Sequence, residues 1–209
     1  MIKIILNSQD VDYLQQLISC LRGNKDIQVL RCGKSADEAI HIYHKLMPDV
    51  LLIDLHYSGK SGFFAIHKII KQNKNINIVV SATVLPYFYL KKLARLGVLG
   101  FITKQSKPFE VMQAIASTMQ KKPYFSPEIV SSVFNSHADE KSAFCTLTKG
   151  EFEIAYMVLQ NMNNFAIAQE LKILPSSVSD RKRILYKKLG IVTDADLVDL
   201  ACKDKLIEC

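Results

Sequence analysis

The 209-residue sequence lacks tryptophan and has only 8 glycines, 6 prolines and 5 cysteines, with no C-x-x-C pair. So little glycine and proline excludes collagen-like and low-complexity chains. Scattered, odd-numbered cysteines favour neither a disulfide framework nor a zinc cage, so we expect reduced, mostly structural thiols. The charge-free runs 75–90 and 154–169 are only sixteen residues long and contain polar residues. They predict no membrane helix, which needs about 20 apolar residues.

The N-terminus also lacks the features of a signal peptide, because its apolar run is short and no small-residue cleavage site follows. We therefore expect a cytoplasmic protein. Hydrophobic residues make up 49% of the chain, which is too many for a disordered protein. The absence of any Gly-rich phosphate loop, metal-ligand cluster or nucleophile–base spacing argues against an enzyme and predicts no cofactor.

The net charge of +7 favours an anionic partner such as nucleic acid, although a merely basic protein would have the same charge. Residues 141–209 contain ten basic and nine acidic residues. Five of those positive charges fall within 181–188, which has no acidic residue. The basicity of this part is therefore concentrated in one short segment.

Short apolar runs alternate with helical spacing over the first 120 residues. The runs are 2–6, 27–32, 50–55, 76–80 and 100–103, and the helical stretches are 11–22, 36–46, 63–71, 87–96 and 109–119. Strands that alternate with helices are typical of βα units and a parallel sheet. We predict an α/β, doubly wound, five-stranded parallel sheet.

Beyond this pattern the sequence predicts a small all-α domain. A short helix is predicted over 126–134, and the polar segment 137–142 reads as linker. Four more helices follow, at 149–160, 164–171, 176–189 and 194–202. The predicted organisation is an α/β domain over 1–122, a linker with a short helix over 123–144, and a helical domain over 145–209.

The carboxyl ends of parallel strands form the functional crevice of an open sheet. Asp54 ends the third strand directly after four apolar residues, and Lys104 follows the fifth. A carboxylate is costly to bury unpaired, so Lys104 is its expected partner. The pair is interpreted either as functional or as a structural ion pair.

The order and spacing of six residues resemble the receiver domain of bacterial two-component response regulators. They are Asp54, Gly62, Gly97, Gly100, Phe101 and Lys104. The resemblance implies that Asp54 is the phospho-acceptor for a histidine kinase and that Lys104 contacts the phosphoryl group. It also implies an acidic pair after strand one for Mg²⁺ and a Ser or Thr after strand four.

The sequence departs from that family at the metal site. Ser8 and Gln9 stand at the positions of the acidic pair, and Asp10 comes one or two positions later. Ala82, or else Ser81, stands at the Ser/Thr position. Because Mg²⁺ prefers carboxylate oxygens, its binding here is doubtful. Asp54 is thus either phosphorylated weakly or held by Lys104 in an inactive pocket, and we favour the latter.

Tyr87, Phe88 and Tyr89 begin the fourth helix. Successive helical residues are about 100° apart, so three consecutive aromatic residues cannot all face the core. They form either a partner surface or local packing beneath a loop.

Residues 147–191 resemble the LuxR-type (GerE-like) helix-turn-helix of NarL/FixJ response regulators, in the Leu-Thr…Glu start, the Ile-Ala…Leu helix and the Lys-Leu-Gly ending. The second helix of this motif enters the major groove. We expect Val178, Ile184, Leu185 and Leu189 to be buried there. The predicted DNA-binding residues are Ser177, Ser179, Arg181, Lys182, Arg183, Lys187 and Lys188. Asp180 repels phosphate unless a basic residue pairs with it, and a solvated basic face is the alternative interpretation.

The sequence as a whole predicts an atypical response regulator that binds double-stranded DNA sequence-specifically, as a homodimer. Phosphorylation at Asp54 is expected to be weak or absent. A histidine kinase or another protein is a possible partner, and no membrane association is expected. The alternative is a protein-interaction module, a pseudo-receiver whose DNA binding is vestigial.

Overall fold

The computed structural model describes residues 1–55, 62–83, 85, 87–135 and 143–204. The chain forms two compact units, Met1–Asn135 and Ser136–Cys209. Six strands belong to the first unit: β1 (Ile2–Asn7), β2 (Ile27–Gly33), β3 (Val50–Asp54), β4 (Asn77–Ala82), β5 (Gly100–Thr103) and β6 (Tyr124–Phe125). The helices of this unit are α1 (Val11–Arg22), α2 (Ala36–Leu46), α3 (Gly62–Gln72), α4 (Tyr87–Leu96), α5 (Pro108–Met119) and α6 (Pro127–Asn135).

The strands form one parallel sheet in the order β2-β1-β3-β4-β5-β6. The predicted doubly wound parallel sheet is confirmed, but the prediction of five strands is wrong by one. The sixth strand, β6, is two residues long and pairs with the start of β5. Two residues are too few to show an alternating pattern, so no sequence pattern indicated this strand.

Both faces of the sheet are covered, which explains the continuously apolar strands. All five residues of β3 are buried. Ile4 and Leu6 of β1 pack with α1 and α5 in one cluster, together with Val50 and Leu52 of β3. Side chains alternate along a strand, so the intervening buried residue Ile5 faces the opposite side of the sheet.

The sheet has a topological switch between β1 and β3. The chain runs from β1 to its neighbour β2 and then crosses back to β3 on the other side. Open parallel sheets bind ligands at the carboxyl ends of the strands beside such a switch. Asp54 is the last residue of β3, and Ser8 directly follows β1. Both residues therefore lie in the crevice.

The second unit is helical, as predicted. A 3-10 helix (Ala143–Thr146) precedes α7 (Lys149–Leu159), α8 (Asn164–Leu171), α9 (Pro175–Leu189) and α10 (Asp194–Lys203). Helix α7 starts at a capping box in which Thr148 and Glu151 bond each other's backbone amides. Helix α9 ends at Gly190, whose φ of 69° lies in the left-handed region that suits glycine.

Two details depart from the sequence-based expectations. β6 and α6 lie within the first compact unit, although the sequence places them in a linker. The predicted linker segment 137–142 lies outside the described residues. Cys20 and Cys32 are free thiols, as expected, whereas Cys202 is disulfide-bonded, so the expectation of reduced thiols is wrong there.

Candidate functional sites

The Asp54 carboxylate is fully buried and held by two donors on the same oxygen. The Ser8 hydroxyl donates to Oδ2 over 2.5 Å, and Lys104 Nζ lies 2.9 Å from that oxygen. The Ser8 hydroxyl also accepts a hydrogen bond from the Asp10 backbone amide, which orients it toward Asp54. The sequence-predicted pair of Asp54 and Lys104 thus exists as a buried ion pair, with Ser8 as its third member.

Lys104 is bound from three sides. Besides Asp54, its ammonium lies 3.2 Å from Asp10 Oδ2 and 5.3 Å from the centre of the Tyr13 ring. Burial disfavours the charged amine, but hydrogen bonds and charges from Asp54 and Asp10 outweigh it, so the pKa of Lys104 is raised. The ammonium therefore stays charged and supplies the positive charge of the pocket.

Asp10 both caps helix α1 and binds Lys104, whereas its sequence position suggested only that it lies near the pocket. One carboxylate oxygen caps α1 by accepting the Tyr13 backbone amide, and the other binds Lys104. The cap and then the hydrogen bond from Lys104 lower the pKa of Asp10. Both of its oxygens are therefore occupied within the protein.

The remaining predicted pocket residues are placed differently. Gln9 is exposed and takes no part in the cluster. Ser81 pairs with Asp54 in the register of β3 and β4, and both Ser81 and Ala82 are fully buried. Among the described residues neither Asp54 Oδ1 nor Ser81 Oγ has a hydrogen-bond partner. The hydroxyl oxygen of neighbouring Tyr13 is also buried and unpartnered among the described residues.

The residues present do not fit a Mg²⁺ ion. Mg²⁺ demands close to six oxygen ligands in octahedral geometry. Here Asp54 Oδ2 is taken by Ser8 and Lys104, both Asp10 oxygens are taken, and Gln9 is uncharged and exposed. Of the described carboxylates in this pocket, Asp54 Oδ1 alone is left as an oxygen donor. Across the described part of the chain, no group of three or more His, Cys, Asp or Glu side chains is arranged to hold a metal.

Sequence reasoning missed Tyr13, which is buried and lies in the first turn of α1. Burial and then the charge of Asp54 raise its pKa, while Ser81 acts in the opposite direction. The ring face toward Lys104 adds a cation–π contact to the ion pairs. An aromatic residue on a helix reads as ordinary core in sequence, so no signal pointed to this contact.

The basic helix α9 buries one face against its own unit. Val178, Leu185 and Leu189 are buried, as predicted. Ile184 is 51% exposed, so the prediction that it is buried is wrong. Positions 178, 185 and 189 fall within about 40° of one another around the helix, whereas Ile184 lies roughly 100° from Leu185. This displacement carries Ile184 to the outer face.

The predicted DNA-binding residues fall into two groups. Three are bound within their own unit: Lys182 lies 2.8 Å from Asp194, Lys188 lies 2.7 Å from Glu151, and the Ser179 hydroxyl bonds Asn164 and the Pro175 carbonyl. Arg181, Arg183 and Lys187 are exposed, and Ser177 is half-buried. Lys188 and Ser179 are exposed as well, and Arg183 lies 3.5 Å from Asp180. Among the described residues, the exposed cations of this helix without an ion pair are therefore Arg181 and Lys187, fewer than the five that the sequence suggested.

The aromatic triplet on α4 does not form a continuous surface. Tyr89 is only 2% exposed, so the prediction that it belongs to a partner surface is wrong. Tyr87 is half-buried, and the Lys91 ammonium lies 5.8 Å from its ring centre. The side chain of Phe88 is outside the described part of the structure. Tyr87 and Tyr89 are about 160° apart around the helix, which explains why one is outside and the other inside.

A parallel sheet with a buried aspartate–lysine pair at its switch, joined to a helix-turn-helix unit with an exposed basic face, defines the class of two-domain signalling regulators. Residues 4–116 match the family of the response regulator receiver domain. Residues 145–201 match the bacterial regulatory proteins of the luxR family. The chain belongs to the response regulators and carries a LuxR-type DNA-binding domain. It is a DNA-binding transcriptional regulator, of a family of regulators rather than enzymes.

Similar proteins match along nearly the whole chain. The response regulator GacA of Pseudomonas aeruginosa is 25% identical over 100% of this chain and 99% of its own length. The transcriptional regulatory protein DesR of Bacillus subtilis is 28% identical, over 91% and 92%. RcsB of Salmonella enterica serovar Typhimurium, solved bound to promoter rprA with the phosphomimetic BeF3−, has a TM-score of 0.66 at 19% identity and coverages of 96% and 98%. The RcsB structure supports the fold. Within the described residues no helix is long and apolar enough to cross a membrane.

Proposed function

We propose that this chain is an atypical response regulator that binds promoter DNA sequence-specifically as a homodimer in the cytoplasm, without Mg²⁺-dependent phosphorylation of Asp54. The observation that carries this proposal is the closed pocket, in which Lys104 and Ser8 both bind the buried Asp54 oxygen Oδ2. The positive charge of Lys104 already neutralises the Asp54 carboxylate without a metal ion.

Phosphorylation at Asp54 meets two obstacles in this pocket. Phosphoryl transfer depends on metal ions to neutralise the charge that develops on the transferred group. Within the described part of the chain one positive group, Lys104, contacts Asp54, and it is also shared with Asp10. The Oδ2 atom is held by two short contacts, and the unpartnered Oδ1 atom is buried, so neither oxygen is readily reached by a phosphodonor. We therefore propose that no cofactor and no histidine kinase is required for the regulator to act.

DNA binding is supported by the exposed face of α9. Arg183 and Lys187 lie on the side of α9 opposite its buried face, and exposed Arg181 lies at the edge of that buried face, an arrangement that suits insertion of the helix into a major groove. RcsB, which shares the fold, is described as bound to a promoter, and DesR is described as a transcriptional regulatory protein. A pair of such helices reads two half-sites, so two modest surfaces combine into one adequate site.

DNA selection from a random duplex pool, using the purified and unphosphorylated full chain, tests the proposal. We expect a two-fold symmetric motif and an affinity that falls steeply with salt, by a slope near −0.9 for each phosphate contact. Arg181→Ala and Arg183→Ala are expected to weaken binding to the enriched duplex. No enriched motif, or unchanged affinity in both variants, would contradict the assignment of α9.

Mass spectrometry after incubation with acetyl phosphate and Mg²⁺ tests the pocket. We expect little added mass on the wild-type chain. Two variants serve as controls: Asp54→Ala removes the acceptor, and Ser8→Asp with Gln9→Asp supplies the two missing carboxylates. A stoichiometric gain of one phosphoryl group that disappears in Asp54→Ala would overturn the proposed inactivity. A gain that appears only in the Ser8→Asp, Gln9→Asp variant would support it.

One observation favours a second candidate function, a pseudo-receiver that acts through protein contacts. Three of the five positive charges within 181–188 are paired with acids of their own unit: Lys182 with Asp194, Lys188 with Glu151 and, more weakly, Arg183 with Asp180. Such pairing reduces the charge available to phosphates. A shallow salt dependence of any DNA binding would favour this function, because few counterions would be released.

A further inference from the structure

Asp180 lies at the centre of the exposed face of α9. At about 100° per residue, it falls roughly 140–180° around the helix from the buried residues Val178, Leu185 and Leu189. Ser176, Ser177, Arg183, Ile184 and Lys187 all fall within about 60° of it, and all are exposed except half-buried Ser177. An acidic side chain therefore lies on the side of α9 opposite its buried face.

An acid at this position conflicts with simple phosphate binding. DNA phosphates repel it, and the remaining charges of the face, Arg183 and Lys187, are positive. A helix that bound only the backbone would be served better by a neutral or basic residue. The centre of a groove-bound helix faces the base edges rather than the phosphates, so the acid is compatible with DNA only where it meets a base.

The Asp180 carboxylate makes few stabilising interactions within its own unit. Among the described residues its one ion pair is with Arg183, at 3.5 Å, and the two side chains are 69% and 82% exposed. Exposed pairs of this kind are weak and open readily. Asp194 contrasts with it, because that acid binds both Lys182 and the Tyr186 hydroxyl. Nothing in the described unit depends on the carboxylate of Asp180.

Base chemistry identifies the partner that an acceptor-only side chain can use. In the major groove, guanine presents the acceptors N7 and O6, whereas cytosine presents the N4 amine as a donor. Carboxylates accept from that amine, and arginine donates two hydrogen bonds to guanine. Asp180 and Arg183 are three residues apart on neighbouring turns, so they supply an acceptor and a donor side by side.

We propose that Asp180 is a specificity-determining residue, whose carboxylate accepts a hydrogen bond from cytosine N4 while Arg183 leaves the ion pair to bind a nearby guanine. This inference rests on the proposed DNA binding and adds to it the identity of one base. It also assigns Asp180 a function in spite of its unfavourable charge: it rejects sequences that place an acceptor at that position.

The test is DNA selection with the full chain in three forms, wild type, Asp180→Asn and Asp180→Ala, followed by competition with duplexes that carry each of the four bases at the cytosine position. We expect the wild type to prefer cytosine there by roughly 5- to 100-fold. Asp180→Asn is expected to move the preference to adenine, because an amide binds adenine N6 and N7. Asp180→Ala is expected to lose the preference while keeping its affinity for the other sequences.

Asp199→Asn is the matched control, since Asp199 is an exposed acid of the same unit on α10 and its loss changes the charge equally. We expect this variant to retain the wild-type motif. If Asp180→Asn and Asp180→Ala strengthen binding to all duplexes uniformly and leave the motif intact, the inference is overturned while the proposed DNA binding stands. If the wild type enriches no motif, the proposed function fails and the inference fails with it.

Discussion

Replacing Lys104 by methionine removes the positive charge from the pocket while keeping a side chain of similar length. The Ser8 hydroxyl is then the one donor that Asp54 keeps among the described residues, and the Asp54 side chain is fully buried. Breaking a buried ion pair by removing one partner costs about 3–5 kcal/mol, because the other charge is left uncompensated. We expect Lys104→Met to destabilise the first unit by about that amount.

Hydrogen exchange measured on peptides from β3 and β4 is the appropriate assay, because it reports the opening of the first unit separately from the helical unit. A loss of about 3–5 kcal/mol corresponds to exchange that is roughly 100- to 4000-fold faster. The same substitution at exposed Lys25 is the control, and we expect it to change exchange by no more than about twofold.

A second substitution tests the cause of the loss. Adding Asp54→Asn to Lys104→Met removes the uncompensated charge, so we expect much of the lost protection to return. The single variant Asp54→Asn is expected to cost less than Lys104→Met, because Lys104 keeps its contact with Asp10. Unchanged protection in Lys104→Met, or additive losses in the double variant, would refute the account of the pocket.

Three further predictions concern single side chains. Asp194→Asn removes the carboxylate that accepts from both Lys182 and Tyr186. We expect hydrogen exchange on α9 and α10 to show that the free energy of opening falls by about 1–2 kcal/mol. Protection equal to that of the wild type would contradict this prediction. Lys187→Ala should weaken all duplexes alike and reduce the salt slope by about 1, whereas a sequence-selective loss would place Lys187 on a base. The pKa of Asp10 is lowered in the folded protein, so its stabilising effect is complete above its ordinary value of 3.8 and is lost as the pH falls through the folded value. Unfolding of wild type and Asp10→Asn should therefore differ at pH 6 and converge in acid, and a constant difference would disprove the assignment.

Much of the fold could be predicted from the sequence, because burial on both faces imposes continuous apolar strands and helical burial imposes a 3.6-residue period. Helices α1, α2, α4 and α8 begin and end where the spacing predicts. Strand β6 could not be predicted in this way. Its two residues become a strand only because β5 is there to pair with them.

The sequence indicated which charged residues form the site of the first unit, but not which other side chains contact them. The positions of Asp54 and Lys104 at strand ends indicated a pair, and the pair exists. That Ser8 would bind the same carboxylate oxygen depends on the path of the backbone after β1, which local sequence does not specify. The ring of Tyr13 beside Lys104 likewise depends on how α1 packs against the sheet.

The basic helix shows a different limit of sequence reasoning. Net charge along 181–188 suggested five available cations, but Asp194 and Glu151 bind two of them from other helices. Those acids lie up to 37 residues away in sequence. Charge patterning therefore located the helix correctly but could not show which charges are free.

The most direct test of the central claim is the affinity of the unphosphorylated full chain for its selected duplex, measured before and after incubation with acetyl phosphate and Mg²⁺. Because Lys104 and Ser8 already hold Asp54, we predict the same affinity in both conditions, to within about twofold. An increase of tenfold or more that is absent in Asp54→Ala would contradict the account and show that the pocket still receives a phosphoryl signal.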